Sequence, residues 1–136
     1  MQTFLPYPDF KKSAEVLDFR RLGKQRVEAY QVLRTLLGIS DGWKNHPCTK
    51  MWKGYEGALK EYGLDFCAEW VKREYKDTLT QKFNELETPA FVYPPWITEE
   101  LCISHRSNLL RKNYKYYKQF VDWEGTPLNL PYVWPV

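Results

Sequence analysis

The sequence predicts an all-α protein. Residues 17–37 and 49–73 repeat apolar side chains every three or four positions, the spacing that lines one face of a helix. A third helix is marked by its start signals, with Thr98 as cap and Glu99 and Glu100 in the first turn, where carboxylates are favourable. At 136 residues the chain can build one sizeable core, and two would be cramped. The expected architecture is a compact single domain, residues 1–136. It has about three main helices, an extended N-terminal arm, a Pro-rich crossing loop and an ordered C-terminal strap.

Each element has its reason. In residues 1–10, Pro6 and Pro8 exclude a regular helix, and the apolar residues around them pack the arm on the body. A helix is expected to begin near Ser13, with Glu15 in its first turn. Gly23 falls inside the next pattern and reads either as a bend or as a close contact. Val27, Tyr30, Leu33 and Leu37 carry the predicted buried face, and Lys24, Glu28 and Gln31 lie on another. Two glycines, a proline, an Asn and an Asp make residues 38–47 a loop. Over 49–73, Met51, Tyr55, Leu59, Tyr62, Phe66 and Trp70 form an aromatic-rich stripe widened by Cys67 and Val71, more in keeping with a core than with a ligand site. Residues 74–83 are polar and fit a short helix. Pro89, Pro94 and Pro95 make Glu85–Thr98 irregular, with Phe91, Val92, Tyr93 and Trp96 as its expected anchors. The last helix should run to about Phe120. The tail from Asp122, with Pro127, Pro131 and Pro135 and the aromatics Trp123, Tyr132 and Trp134, reads as the strap.

Composition narrows the function classes. The net charge is +3, mildly basic, and by itself implies no nucleic acid. Six Trp, ten Tyr and seven Phe exceed core needs and can supply stacking surfaces. No segment holds eighteen consecutive apolar residues, so no membrane span is expected, and the first twenty residues do not read as a signal peptide. Cys48, Cys67 and Cys102 are odd in number and widely spaced, which points to a reduced, intracellular setting. There is no glycine-rich phosphate loop and no paired His or Cys metal spacing, so neither cofactor nor metal is expected.

Two segments carry chemistry. Within residues 17–28, Arg20, Arg21, Lys24 and Arg26 surround the acid Glu28, which is four residues from Lys24 and so its neighbour on the helix. This is either an ordinary surface ion pair or an acid set inside a phosphate-binding surface. From Leu101 to Val121 there is no acid, and Arg106, Arg111, Lys112, Lys115 and Lys118 interleave with Tyr114, Tyr116 and Tyr117. Cations meet phosphates and aromatics meet bases, so this is the strongest compositional pointer to nucleic acid. His46 is a loop histidine that fits a base contact, proton transfer or a plain structural hydrogen bond.

Taken together, these segments form a pattern: Leu22-Gly23-Lys24-Gln25-Arg26-Val27-Glu28, His46-Pro47 feeding Met51-Trp52-Lys53-Gly54-Tyr55-Glu56, and Ser104-His105-Arg106-Ser107 followed by Arg111-Lys112 and Tyr114-Lys115-Tyr116-Tyr117. The chain resembles the pyrimidine-dimer DNA glycosylase family over roughly residues 1–120, most closely a mostly bacterial branch of it. The resemblance implies a helical protein that binds double-stranded DNA on a basic concave face, with its N-terminal segment threaded through the fold. In the phage-type enzyme of that family a free α-amine attacks C1′ of the damaged nucleotide, a first-helix glutamate is essential, and β-elimination then cuts the backbone. By position that glutamate is Glu28. The attacking amine falls to Met1, since bulky Gln2 disfavours removal of the initiator, or to Lys24, crowded by Arg20, Arg21 and Arg26. The DNA-binding set implied is Arg20, Arg21, Arg26, His46, Arg106, Arg111, Lys112, Tyr114, Lys115 and Tyr117, with His105 touching the base or shuttling a proton. The Ser-His-Arg-Ser cluster is distinctive of the closer branch and could define its substrate.

The expected function is a DNA glycosylase acting on a pyrimidine dimer or other modified pyrimidine, with the AP-lyase step left open. The protein is expected to be a monomer without an obligate protein partner. Its expected place is the cytoplasm, nucleoid-associated in a bacterium or in the host cytoplasm if phage-encoded. Two alternatives fit the same residues. One is a non-catalytic nucleic-acid-binding protein, with salt-sensitive binding and no covalent adduct. The other is an enzyme acting on a free nucleotide or other anionic small molecule in a deep closed cavity.

Overall fold

The computed structural model describes all of residues 1–136 and is all-helical. Its helices are α1 (Phe10–Val16), α2 (Phe19–Leu36), α3 (Pro47–Trp52), α4 (Glu56–Lys72), α5 (Thr80–Glu85), α6 (Glu99–Lys112) and α7 (Tyr114–Tyr117), followed by a 3-10 turn at Val121–Trp123. Three of them, α2, α4 and α6, are long. Packing is densest between α2 and α4, with α1 also laid on α4. No helix is long and apolar enough to cross a membrane.

Several boundaries differ from expectation. Helix α1 starts earlier, at Phe10, because Asp9 caps it by accepting the Lys12 N–H at 2.9 Å. Ser13 is buried inside α1, where its hydroxyl donates to the Tyr7 carbonyl and accepts the Tyr7 N–H. The chain breaks at Leu17–Asp18, and α2 runs unbroken through Gly23. The glycine marks a close contact: a Cβ there would sit 3.0 Å from the Trp70 ring. The 49–73 pattern is two helices, divided where Gly54 takes a left-handed φ of +89°. The last long helix stops at Lys112, and Asn113 caps α7 by accepting the Tyr116 N–H.

The buried face of α2 is also shifted. Leu22, Gln25, Arg26, Ala29, Val32 and Leu33 point inward with Glu28, whereas Val27 is 44% exposed. Val71 on α4 is likewise exposed. In the crossing loop the anchors are Pro94, Ile97 and the half-buried Trp96, whose ring meets Trp52 edge-on. Phe91, Val92 and Tyr93 remain exposed, although Tyr93 donates to the Pro8 carbonyl and stacks on Phe10.

The N-terminal arm is not a surface feature. Thr3 to Tyr7 are buried and held from every side. Leu5 N–H donates to His105 Nδ1 at 2.9 Å, and Phe4 N–H to Gln25 Oε1 at 3.1 Å. Trp52 Nε1–H donates to Thr3 Oγ1 at 3.0 Å, Arg106 Nε–H to the Pro6 carbonyl at 2.8 Å, and the Tyr132 hydroxyl to the Thr3 carbonyl. The strap closes over the same seam. Val133 N–H donates to Ser104 Oγ and Leu130 N–H to Ser107 Oγ. A chain end threaded through the core this way has its backbone polar groups satisfied by side chains, as burial requires.

Candidate active site

Helix α2 carries the centre of the site. Glu28 is 8% exposed, and its Oε2 is sealed from solvent with no hydrogen-bond partner. Its Oε1 faces Lys24 Nζ at 3.6 Å, and that lysine side chain is 71% exposed. Burial raises the carboxyl above its usual range, opposed by Lys24 and then by the N-terminal ammonium. The same ammonium acts on His46, whose imidazole is lowered first by burial, and on Cys48, whose thiol burial pushes up to about 11. The N-terminal ammonium is thus within electrostatic reach of Glu28, His46 and Cys48.

Gln25 makes this arrangement possible. It sits one turn before Glu28, and its Nε2 donates to the Gln2 carbonyl at 2.7 Å while its Oε1 accepts from Phe4 N–H. Tyr62 Oη is 2.7 Å from the same Oε1 and 3.0 Å from the Phe4 carbonyl, with one proton to give to either. The amide thus fixes the arm on α2, with Gln2, Gln25 and Glu28 lining one small hollow. Gln25 was absent from the expected site. Its signal was its phase: it falls in step with Leu22, Ala29 and Val32, so a polar group there had to be partnered inside the fold.

The expected cations divide into two groups. Lys112 is lowered by burial and then by Arg21, Lys24 and Arg111, so the cations at the start of α2 and the end of α6 act on one another electrostatically. Arg21 is partly exposed and pairs with Asp18 at 3.2 Å. Arg111 bonds Ser107 Oγ and the Leu128 carbonyl, yet remains exposed. Tyr114 and Lys115 continue the exposed surface on α7. Arg20 is exposed over the Phe19 ring. The positive end of α2 adds to the field around Arg20 and Arg21.

The second group is structural. Arg26 is buried, paired with Asp77 and stacked on Trp70 at 4.5 Å, so it has no face left for a phosphate. Arg106 is spent on the Pro6 carbonyl and the Tyr7 ring. Tyr117 is fully buried, its hydroxyl donating to Asp18. His105 is fully buried between Phe4 and Tyr132, and burial pushes its imidazole down to about 3. A smaller opposing pull comes from the Val133 carbonyl, toward which Nε2 makes no aligned hydrogen bond. It can neither touch a base nor exchange protons near neutrality. All four side chains of the Ser104–Ser107 cluster are used to hold the arm and the strap. His46 caps α3 by accepting the Cys48 N–H at 3.0 Å and sits edge-on to Trp43 and Trp134. No group of acids, histidines and cysteines in the structure is arranged to hold a metal.

The site is thus a sheltered carboxylate paired with Lys24 and within electrostatic reach of the N-terminal ammonium, in an all-helical fold. Acids and cations close together on a helical scaffold define a class of candidate sites for acid–base work on anionic ligands. Residues 1–83 match the family described as pyrimidine dimer DNA glycosylase, and the chain belongs to that family. The match takes in Met1, Lys24, Glu28 and His46 and ends before α6, short of the expected reach to residue 120. Searches of curated proteins and of solved structures gave no match.

Proposed function

We propose that the protein excises a damaged or modified pyrimidine from duplex DNA, with Glu28 as the essential acid and the α-amine of residue 1 as nucleophile. The observation that carries this reading is the sheltered Glu28 carboxylate, acted on by the N-terminal ammonium and facing the exposed Lys24 amine. Burial raises Glu28, which suits it to accept the amine proton. The amine lone pair then forms a bond to C1′ as the C1′–N bond breaks and its electrons leave with the base. The carboxylate stabilises the cationic sugar during that step. Ring opening gives an imine, and loss of a C2′ proton expels the 3′ phosphate. Arg21, Arg111 and Lys112 supply the phosphate contacts, and exposed Tyr114 and Lys115 extend them. Lys24 is the competing nucleophile, and the adduct's mass distinguishes the two.

The test is borohydride trapping on duplexes bearing an abasic site, a pyrimidine dimer or a modified pyrimidine, followed by mass mapping. The expected result is an adduct on residue 1. Glu28→Gln should lower turnover by roughly 10²-fold or more while DNA binding is retained. Undiminished turnover in Glu28→Gln would remove this assignment.

A further inference from the structure

Phe19 and Tyr75 are large aromatic side chains that the fold leaves in water, 51% and 40% exposed, beside two arginines. Neither takes part in the chemistry above. Phe19 opens α2, one turn before Leu22 and in step with it. Helix α4 ends near this point, with the Trp70 ring against Gly23. The neighbour of Phe19 is therefore the turn that follows α4, and its ring meets Tyr75 there.

That turn holds Tyr75 in place. Glu74 takes a left-handed φ of +68°, an uncommon and strained conformation for a residue with a side chain. Tyr75 N–H donates to the Trp70 carbonyl at 3.2 Å, and Trp70 Nε1–H donates to the Lys76 carbonyl at 2.9 Å. One residue further, Asp77 pairs with Arg26 and accepts from the Leu79 and Thr80 N–H groups. The Tyr75 ring centre lies 4.4 Å from Trp70 and 6.1 Å from Phe19, with planes 31° and 30° apart. Three rings thus form a short, nearly aligned row whose position is set by hydrogen bonds and a buried ion pair.

The row has a cationic border. The exposed Arg20 guanidinium lies 5.9 Å from the Phe19 ring centre, and Arg21 is partly exposed even with its Asp18 pair. Lys72 and Lys76 flank the turn, with Glu74 between them as an exposed acid. Singly exposed aromatics are ordinary, but two rings held together by a strained turn beside arginines are not. An aromatic ring can stack on any base, and a guanidinium matches phosphate oxygens. A base inside a duplex has no free face to stack, so an unpaired base is the occupant that fits.

We propose that Phe19 and Tyr75 form a stacking ledge for an unpaired base of the DNA that flanks the lesion, with Arg20 and Arg21 holding the adjoining phosphates. The inference rests on the proposed action on DNA and narrows its substrate to damage beside a single-stranded junction. Phe19 and Glu28 are nine residues apart on α2, about 13 Å along the helix, the span of roughly four base steps. The base on the ledge is therefore a neighbour of the lesion and not the base excised.

Anisotropy titration of the full chain compares an undamaged blunt duplex with the same duplex carrying a short single-stranded tail that contains 2-aminopurine. The tailed duplex should bind roughly tenfold more tightly, and the 2-aminopurine emission should fall on binding as the base stacks. Phe19→Leu and Tyr75→Leu keep an apolar side chain without a ring face, and each should abolish the preference and the quench. Phe19→Tyr and Tyr75→Phe should keep both. Arg20→Ala should weaken binding to the tailed duplex and reduce its salt slope by about one. A purely structural role for the rings would instead lower the urea midpoint of the leucine variants and leave the tail preference in place. An adduct at residue 1 without a tail preference removes the ledge and leaves the excision reading, whereas a tail preference without an adduct does the reverse. Equal binding of the blunt and tailed duplexes, an unquenched tail base, or a preference indifferent to Phe19 and Tyr75 would overturn the proposal.

Discussion

His105 gives the sharpest separation between a chemical and a structural role. Its Nδ1 accepts from Leu5 N–H and its ring stacks on Tyr132 at 4.3 Å, so it is a neutral base sealed into the seam between arm, strap and α6. Its folded value near 3 lies below the usual 6.5, so between those limits the unfolded chain binds the extra proton. Its stabilising effect is complete above about pH 6.5 and declines as pH falls toward 3. Each pH unit in that window costs about 1.4 kcal/mol, so pH 4.5 should cost roughly 3 kcal/mol through this residue alone. Burial raises Asp65 to about 6 and also raises Glu28, and both act in the opposite direction. The contribution of His105 must therefore be read against a variant. Asn places an oxygen near the Nδ1 position and does not titrate. His105→Asn should be less stable at pH 7 by about 2–3 kcal/mol, from lost ring packing. Urea unfolding at pH 7 and pH 4.5 should then show a smaller acid loss in the variant than in the parent, by roughly 3 kcal/mol. Equal losses in the two proteins would refute the buried neutral imidazole.

The remaining predictions follow from the same division of side chains. Arg26→Ala should destabilise by about 3–5 kcal/mol in urea unfolding, because it strands Asp77 in a buried pair, while the salt slope of DNA binding stays unchanged. Single alanine changes at Arg21, Arg111 or Lys112 should each reduce that slope by about one, with little change in unfolding midpoint for Lys112. Tyr117→Phe should cost about 1.5–3 kcal/mol of stability, the value of a hydrogen bond to a charged partner, and leave DNA affinity intact below the melting range.

The fold class and the three long helices were legible because apolar spacing and the Thr98 cap are local signals. The arm and strap were legible from their prolines and aromatics. Boundaries failed where a local signal had a stronger neighbour, as when Asp9 displaced Ser13 as the first cap. Val27 was misplaced because Tyr30, Leu33 and Leu37 also fit its phase, while Leu22, Gln25, Ala29 and Val32 share the stripe that packs on α4. Sequence spacing finds a helix more readily than it tells which stripe faces the neighbouring element.

The candidate site divided along a similar line. Glu28 with Lys24 was readable, since the i,i+4 relation is set by helix geometry alone. The fate of each cation was not, because it depends on partners far along the chain: Asp77 for Arg26, the Pro6 carbonyl for Arg106. A run of cations counts charges without saying which are already matched. The same reasoning explains the Ser104–Ser107 cluster. Its polarity suggested a substrate surface, but a buried arm and an overlying strap create backbone donors and acceptors that need side-chain partners, and α6 supplies them at successive positions. Polar residues on the buried side of a helix are then evidence that another chain segment crosses there. That crossing anchors the arm, and under the proposed function it is what would bring residue 1 to Glu28. The cluster would therefore influence chemistry by fixing the arm, so its loss should first appear as instability and misplacement of the amine.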